Sequence, residues 1–209
     1  FGMTLAACAL IYLLALARGA NPEVLILGGI AVLFFFQSVQ SLLQYIASPE
    51  ILQQIVFWLF GDLQKASWTS VSVCAVVLLA CLPFVARDAW ALTALRLGDA
   101  NAMSIGVPVQ AIRRRAFVLV ALLTAVAVCF VGTIGFVGLI APHMARALVG
   151  EDHRFALPLA ALTGALILSG ASVFAKLISP GAVVPVGIIT AVAGVPMLLG
   201  IIVSRKGGI

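Results

Sequence analysis

Residues 87–115 read RDAWALTALRLGDANAMSIGVPVQAIRRR, the one long polar interval in an otherwise apolar chain. Five of the twelve basic residues lie in it: Arg87, Arg96, Arg113, Arg114 and Arg115. Its punctuation predicts two short helices. Trp90 to Leu97 is apolar-rich and stops at Gly98. Asp99 is expected to be an N-cap, because its carboxylate can accept free N–H groups of the next turn. Ala100 to Ile105 is then one or two turns, closed by Gly106 and followed by Pro108. Membrane spans on either side would hold this helix–turn–helix at the cytoplasmic face, where it suits docking to a soluble partner. A solvated loop tethered by basic anchors is the plainer alternative.

Working outward, the chain has 209 residues, is 64% hydrophobic and only 9% charged, and has a mean hydropathy of +1.24. A soluble domain is nearer a quarter charged. The composition therefore predicts an all-α, polytopic membrane helix bundle. The alternating segments of about ten residues that a barrel needs are absent. The net charge of +5 comes from residues that flank apolar runs, which argues against nucleic-acid binding. Cys8, Cys74, Cys81 and Cys129 lie inside apolar runs without a CxxC or histidine partner, so they read as free thiols and not as metal ligands. Phe1 opens in the middle of an apolar run, with no basic n-region and no cleavage pattern, so no signal peptide is expected there.

About seven spans follow from the apolar runs: Gly2 to Ala17, Val24 to Ala47, Thr69 to Ala86, Ala116 to Val131, Thr133 to Val149, Ala156 to Ile178, and Pro185 to Val203. Ser48 to Trp68 is amphipathic and interrupted, and Pro49 to Phe60 is expected to be an interfacial helix. The short Gly132-Thr133 junction predicts a tight hairpin between the spans on either side. Ser179-Pro180-Gly181 should turn the chain before the last span. Orientation follows from Lys and Arg placement. With the tail inside, Arg18, the five arginines of the central interval, Arg146, Arg154, Arg205 and Lys206 are cytoplasmic, and only Lys65 and Lys176 face out. The central interval is then expected inside the cell, the C-terminus with it, and Ser48–Trp68 outside.

Glycines recur in several spans and read chiefly as sites of close helix packing. No catalytic set is visible. His143 and His153 are the only histidines; His143, near the cytoplasmic end of its span, has no visible nucleophile or metal partner, and His153 sits in a charged loop. There is no phosphate loop, so no nucleotide site is expected on this chain. The spans contain almost no carboxylate, which weighs against the alternative reading, an ion-coupled secondary transporter of a small solute. Gln37, Gln40, Ser41 and Gln44 stand at i, i+3, i+4 and i+7 and share one helix face. An amide facing lipid leaves polar groups unpaired at a cost of several kcal/mol. The stripe must meet another helix or a wet cavity. As the wall of a pathway, neutral amides would pass a bulky solute without holding it tightly.

GTIGFVGLIAPHMARALVGEDHRFALPLAALTGA (132–165) resembles the signature region of bacterial ATP-binding-cassette permeases that import iron–siderophores, haem and cobalamin. LRLGDANAMSIGVPV (95–109) is similar to that family's cytoplasmic coupling loop, and VPVGIITAVAGVPMLLGII (184–202) to its last span. The resemblance implies a single transmembrane permease domain over residues 1–209, carrying a coupling loop at 87–115. Family members have ten spans, which would make these the fourth to the tenth of a longer subunit. It further implies a non-enzymatic subunit that binds no cofactor, with ATP and Mg held by separate cytoplasmic ATPases. A second permease subunit, most simply a homodimer partner, and a periplasmic or lipoprotein substrate-binding protein complete the assembly in the bacterial inner membrane. Arg96, Gly98, Asp99, Ala102, Met103, Ile105, Gly106 and Val107 become the expected ATPase-coupling residues, contacting the ATPase or shaping that contact. The glycines would set the backbone, Met103 and Ile105 would fill an apolar cleft, and Asp99 would cap. Gln37, Gln40, Ser41 and Gln44 become the expected translocation pathway, because the family's fifth span lines it.

Overall fold

Runs of apolar residues can satisfy their backbone polar groups without water only by closing hydrogen bonds within each segment, and the chain is accordingly helical. The computed structural model describes residues 2–18, 22–64, 66–178 and 184–204. The elements are α1 (Gly2–Arg18), α2 (Pro22–Ile46), α3 (Pro49–Leu59), α4 (Trp68–Ala94), α5 (Asp99–Ser104), α6 (Val109–Val131), α7 (Val137–Val149), α8 (His153–Ile178) and α9 (Val186–Ser204). A single 3-10 turn, Leu95–Leu97, joins α4 to α5. Each of the seven expected apolar segments contains a helix. Among the described residues, Ile26–Ile46, Trp68–Leu97, Val109–Val131 and His153–Ile178 are long and apolar enough to cross a membrane. The expected turn at Ser179-Pro180-Gly181, the loop at Gly19-Ala20-Asn21, Lys65 and the basic tail Arg205-Lys206 lie outside the described residues.

Three expected boundaries are corrected. Thr69–Ala86 is only part of α4, which runs on through Arg87 and Asp88 to Ala94. The expected separate helix at Trp90–Leu97 is therefore the end of a span plus one 3-10 turn. Ser67 and Ser70 start α4 by a reciprocal capping box: the Ser67 N–H donates to Ser70 Oγ (2.8 Å) and the Ser70 N–H to Ser67 Oγ (3.2 Å). Likewise α6 begins at Val109 and carries Arg113 to Arg115 within it, not before it.

The third correction concerns Thr133–Val149. Its helix starts only at Val137 and has 13 residues, a rise of about 20 Å against an apolar core of about 30 Å. Residues 132–136 are irregular, and α7 packs on α8, not on α6 as a tight hairpin would require. The cause is a backbone junction. The Asp62 N–H donates to the Val131 carbonyl (2.8 Å), and Thr133 Oγ1 donates to the Leu59 carbonyl (2.6 Å). Gly132 permits this approach. It has a φ of 74°, and any Cβ there would strike the Trp58 carbonyl oxygen. The chain leaves α6 sideways along the end of α3, and α7 begins over α8. There Thr163 Oγ1 lies 3.1 Å from the Ala141 carbonyl, and Gly164 abuts Ala141 and Val137.

These contacts sort the helix ends into two sets. The end of α3 and the end of α6 meet, and the start of α9 joins them through Gly187 N–H to the Gly61 carbonyl (3.5 Å). At the other end of the bundle, the α4–α6 connection meets the α7–α8 loop through Thr93 and His153. The end of α3 and the 95–108 connection therefore lie at opposite ends of the bundle.

Candidate functional site

The α4–α6 connection has its own small core. Ala91, Ala94, Ala102, Val107, Val109 and Ile112 are buried together, with Leu92 and Leu95 packed against them. Six residues of α5 cannot hold a helix alone. Two devices hold this one. Ala102, 0% exposed, pins its inner side to the ends of α4 and α6. Its C-terminus closes in a Schellman arrangement, with Gly106 N–H on the Met103 carbonyl and Val107 N–H on the Ala102 carbonyl, both 3.0 Å. Gly106 takes the left-handed conformation this needs, with a φ of 84°. The buried Val107 supplies the apolar contact back to Ala102 that accompanies the motif.

Gly98 enters α5 with φ 95° and ψ 154°, a region open essentially to glycine alone. It takes the N-cap position expected of Asp99 and offers no side-chain cap. Asp99 is the first helical residue instead. Its carboxylate accepts two hydrogen bonds from Arg113 Nη2 on α6, at 3.0 and 3.2 Å. A carboxylate in the first turn still suits the helix dipole, but here it also ties α5 to α6.

The site thus divides into two faces. Ala102 and Val107 are buried, so they shape the helix and do not reach a partner. Met103 (59%) and Ile105 (53%) are exposed, as is Leu97 (66%) in the preceding 3-10 turn. Leu97 was not among the residues expected from sequence. Its position next to Gly98 read as a helix end, although an apolar residue just before a glycine turn in a water-facing segment was a usable signal. Arg96 pairs with Glu151 of the α7–α8 loop, whose carboxylate also lies 3.8 Å from Arg146.

The glutamine stripe lies on an unbroken helix, so Gln37, Gln40, Ser41 and Gln44 do share a face of α2. Gln37 and Ser41 are exposed, and Gln40 and Gln44 are half-buried. The bundle described here does not enclose them. On the opposite end of the bundle from the α5 site, Gln53, Gln54, Ile55, Phe57 and Trp58 of α3 line an open cavity of about 600 Å³. Among the described residues no group of three or more His, Cys, Asp or Glu side chains is placed to hold a metal ion.

A model of the FecCD transport family matches residues 1–204. An ABC transporter permease protein of Methanocaldococcus jannaschii is 42% identical over 189 residues, 90% of this chain and 54% of the relative. The Fe(3+) dicitrate transport system permease protein FecD of Escherichia coli is 36% identical over 197 residues, 94% of this chain and 62% of the relative. A solved inward-facing metal-chelate type ABC transporter matches with a TM-score of 0.86 at 35% identity, covering 95% of this chain and 63% of that one. The chain therefore spans a little over half the length of the relatives it matches. With the family model matching residues 1–204 of 209, the chain belongs to the FecCD transport family.

Proposed function

We propose that this chain forms the permease domain of an ATP-driven importer for an iron(III) chelate or a similar metal chelate such as haem or cobalamin. Its own role is non-enzymatic. Separate cytoplasmic ATPases carry ATP and Mg, a second permease subunit completes the pathway, and a loaded binding protein docks outside. The protein resides in the plasma membrane with its C-terminus in the cytoplasm. Family membership and the metal-chelate and ferric dicitrate systems named above support this reading of the cargo. The observation that carries the coupling role is the division of α5. It is locked from beneath by Ala102, Val107 and the Gly106 turn, and it offers Leu97, Met103 and Ile105 outward. A short helix that is rigid on one side and apolar on the other can transmit a push, because its two positions bias the bundle. Gln37, Gln40, Ser41 and Gln44 line the pathway in this scheme.

The test uses the intact transporter. Met103→Asp puts a charge in the apolar patch, and Gly106→Pro removes the N–H that closes α5. Both are expected to abolish ATPase co-purification and ATP-dependent uptake in vesicles while leaving membrane insertion intact. Normal ATPase binding by both variants would remove the coupling assignment. Uptake driven by an ion gradient without ATP would overturn the importer reading itself.

A further inference from the structure

The first turn of α8 is not completed by its own segment. Asp152 caps it locally: Arg154 N–H donates to Asp152 Oδ1 (2.9 Å), and the Phe155 and Ala156 N–H groups donate to the Asp152 carbonyl at 3.1 and 2.8 Å. The His153 N–H is the remaining donor of that turn, and it finds its acceptor on another helix. It donates to Thr93 Oγ1 at 3.0 Å. The same hydroxyl donates to the Ala89 carbonyl (3.0 Å) and lies 3.2 Å from His153 Nδ1. A hydroxyl has one proton. With hydrogen on Nδ1 the ring donates to Thr93 as well; in the other tautomer the ring accepts from the hydroxyl, and the His153 N–H bond to Thr93 is the same in both. Thr93 is half-buried between α4 and α8.

Thr93 stands one residue before the end of α4, directly above the turn into α5. Three residues further on, Arg96 of the 3-10 turn pairs with Glu151 in the same α7–α8 loop. The Glu151 carboxylate faces Arg146 of α7 as well. The loop therefore grips the α5 unit at two points, one neutral and half-buried, one charged and exposed. Behind the loop, α7 and α8 pack along their length. Beyond α7, Thr133 and Val131 hold the opposite end of the bundle to Leu59 and Asp62.

We propose that Thr93 and Glu151 are positioning residues that make α8, and α7 with it, move as one body with the α5 unit. The α7–α8 pair then carries the displacement of α5 toward the far end of the bundle. This rests on the coupling role of α5 given above. Two neighbouring hydrogen bonds on one hydroxyl resist separation in a way that an exposed ion pair alone does not.

In the intact transporter with its ATPase, Thr93→Val keeps the shape of the side chain and removes the hydroxyl. It is expected to leave ATPase co-purification and ATP hydrolysis near wild type while substrate moved per ATP falls about tenfold, the factor for losing a hydrogen bond with its donor left unpaired. Thr93→Ser restores the hydroxyl and is expected to restore the ratio. A purely structural role would lower the yield of complex and leave transport per ATP unchanged. In the wild type, spin labels at Arg87 on α4 and Leu166 on α8 should hold one separation with and without ATP. A separation that changes between the two states overturns the proposal even if Thr93→Val fails to fold. Wild-type transport per ATP in Thr93→Val overturns it too. If Met103→Asp keeps its ATPase, the coupling role fails first. If Met103→Asp loses its ATPase while Thr93→Val transports normally, only the tie fails.

Discussion

Arg115 on α6 holds its Nε 3.0 Å from Oδ2 of Asp88 on α4, with the two side chains 35% and 6% exposed. Neither atom has a hydrogen-bond partner of good geometry among the described residues, so the contact is charge attraction at short range without alignment. It pins together the two helices that flank α5. Arg115→Met leaves the Asp88 carboxylate buried and unpaired. The expected loss is about 2 kcal/mol, below the 3–5 kcal/mol typical of fully buried pairs because Arg115 is partly solvated. Asp88→Asn leaves an arginine that can reach water and should cost less, about 1 kcal/mol. Thermal unfolding in detergent of both single variants and the double variant measures the coupling. Additive losses would mean that the pair contributes nothing.

The stripe on α2 predicts a pattern of water access. In a background lacking the native cysteines, single cysteines at Gln37, Gln40 and Gln44 should react with a membrane-impermeant thiol reagent. Cysteines at Phe35, Leu42 and Ile46, on the other side of the same helix, should not. Uniform reactivity, or none, would count against a wet pathway.

Gly132→Ala should disrupt the junction between the ends of α3 and α6. Its φ of 74° is strained for alanine, and the new Cβ meets the Trp58 carbonyl. Strain of this kind costs on the order of 1–3 kcal/mol before the clash is counted. Gly135→Ala is the control, since a Cβ there meets nothing within 4 Å. Faster amide exchange at Asp62, the donor to Val131, is expected in the first variant only.

Asp152 is held at a pKa of about 2, below the usual 3.8, first by the Arg154 side chain and then by the Arg154 backbone N–H. A carboxylate depressed on folding stabilises the folded state above its unfolded pKa, and that contribution is lost as pH falls through the folded value. Stability should therefore decline between about pH 4 and about pH 2. Asp152→Asn, which can still cap α8 but does not titrate, should flatten part of that decline. An unchanged slope in Asp152→Asn would show that the cap is not responsible.

Much of this architecture was legible in the residues. Apolar runs of span length, the basic residues beside them and the Gly106–Val107–Pro108 stop after α5 are local signals, carried by neighbours in the chain. So was the stripe on α2, because helical periodicity alone places Gln37 and Gln44 on one face. Other features depended on segments far apart in sequence. The expected cap at Asp99 gave way because Arg113, fourteen residues on, competes for its carboxylate. The expected hairpin after α6 gave way because Gly132 finds the Trp58 carbonyl, and Phe136 adopts a φ of 68° beside Gly194. No local propensity announces a left-handed phenylalanine.

By itself the sequence determined that the chain is helical, that it is apolar enough to lie in lipid, and that a short polar-flanked helix interrupts the spans near residues 99–104. Those properties follow from hydrophobicity, period and charge, which each residue carries wherever it sits. Only the tertiary structure decided which helices pack together. Thr93 caps α8, and α7 leans on α8 and not on α6, because a donor left over at one helix end can be satisfied only by whatever the fold brings beside it.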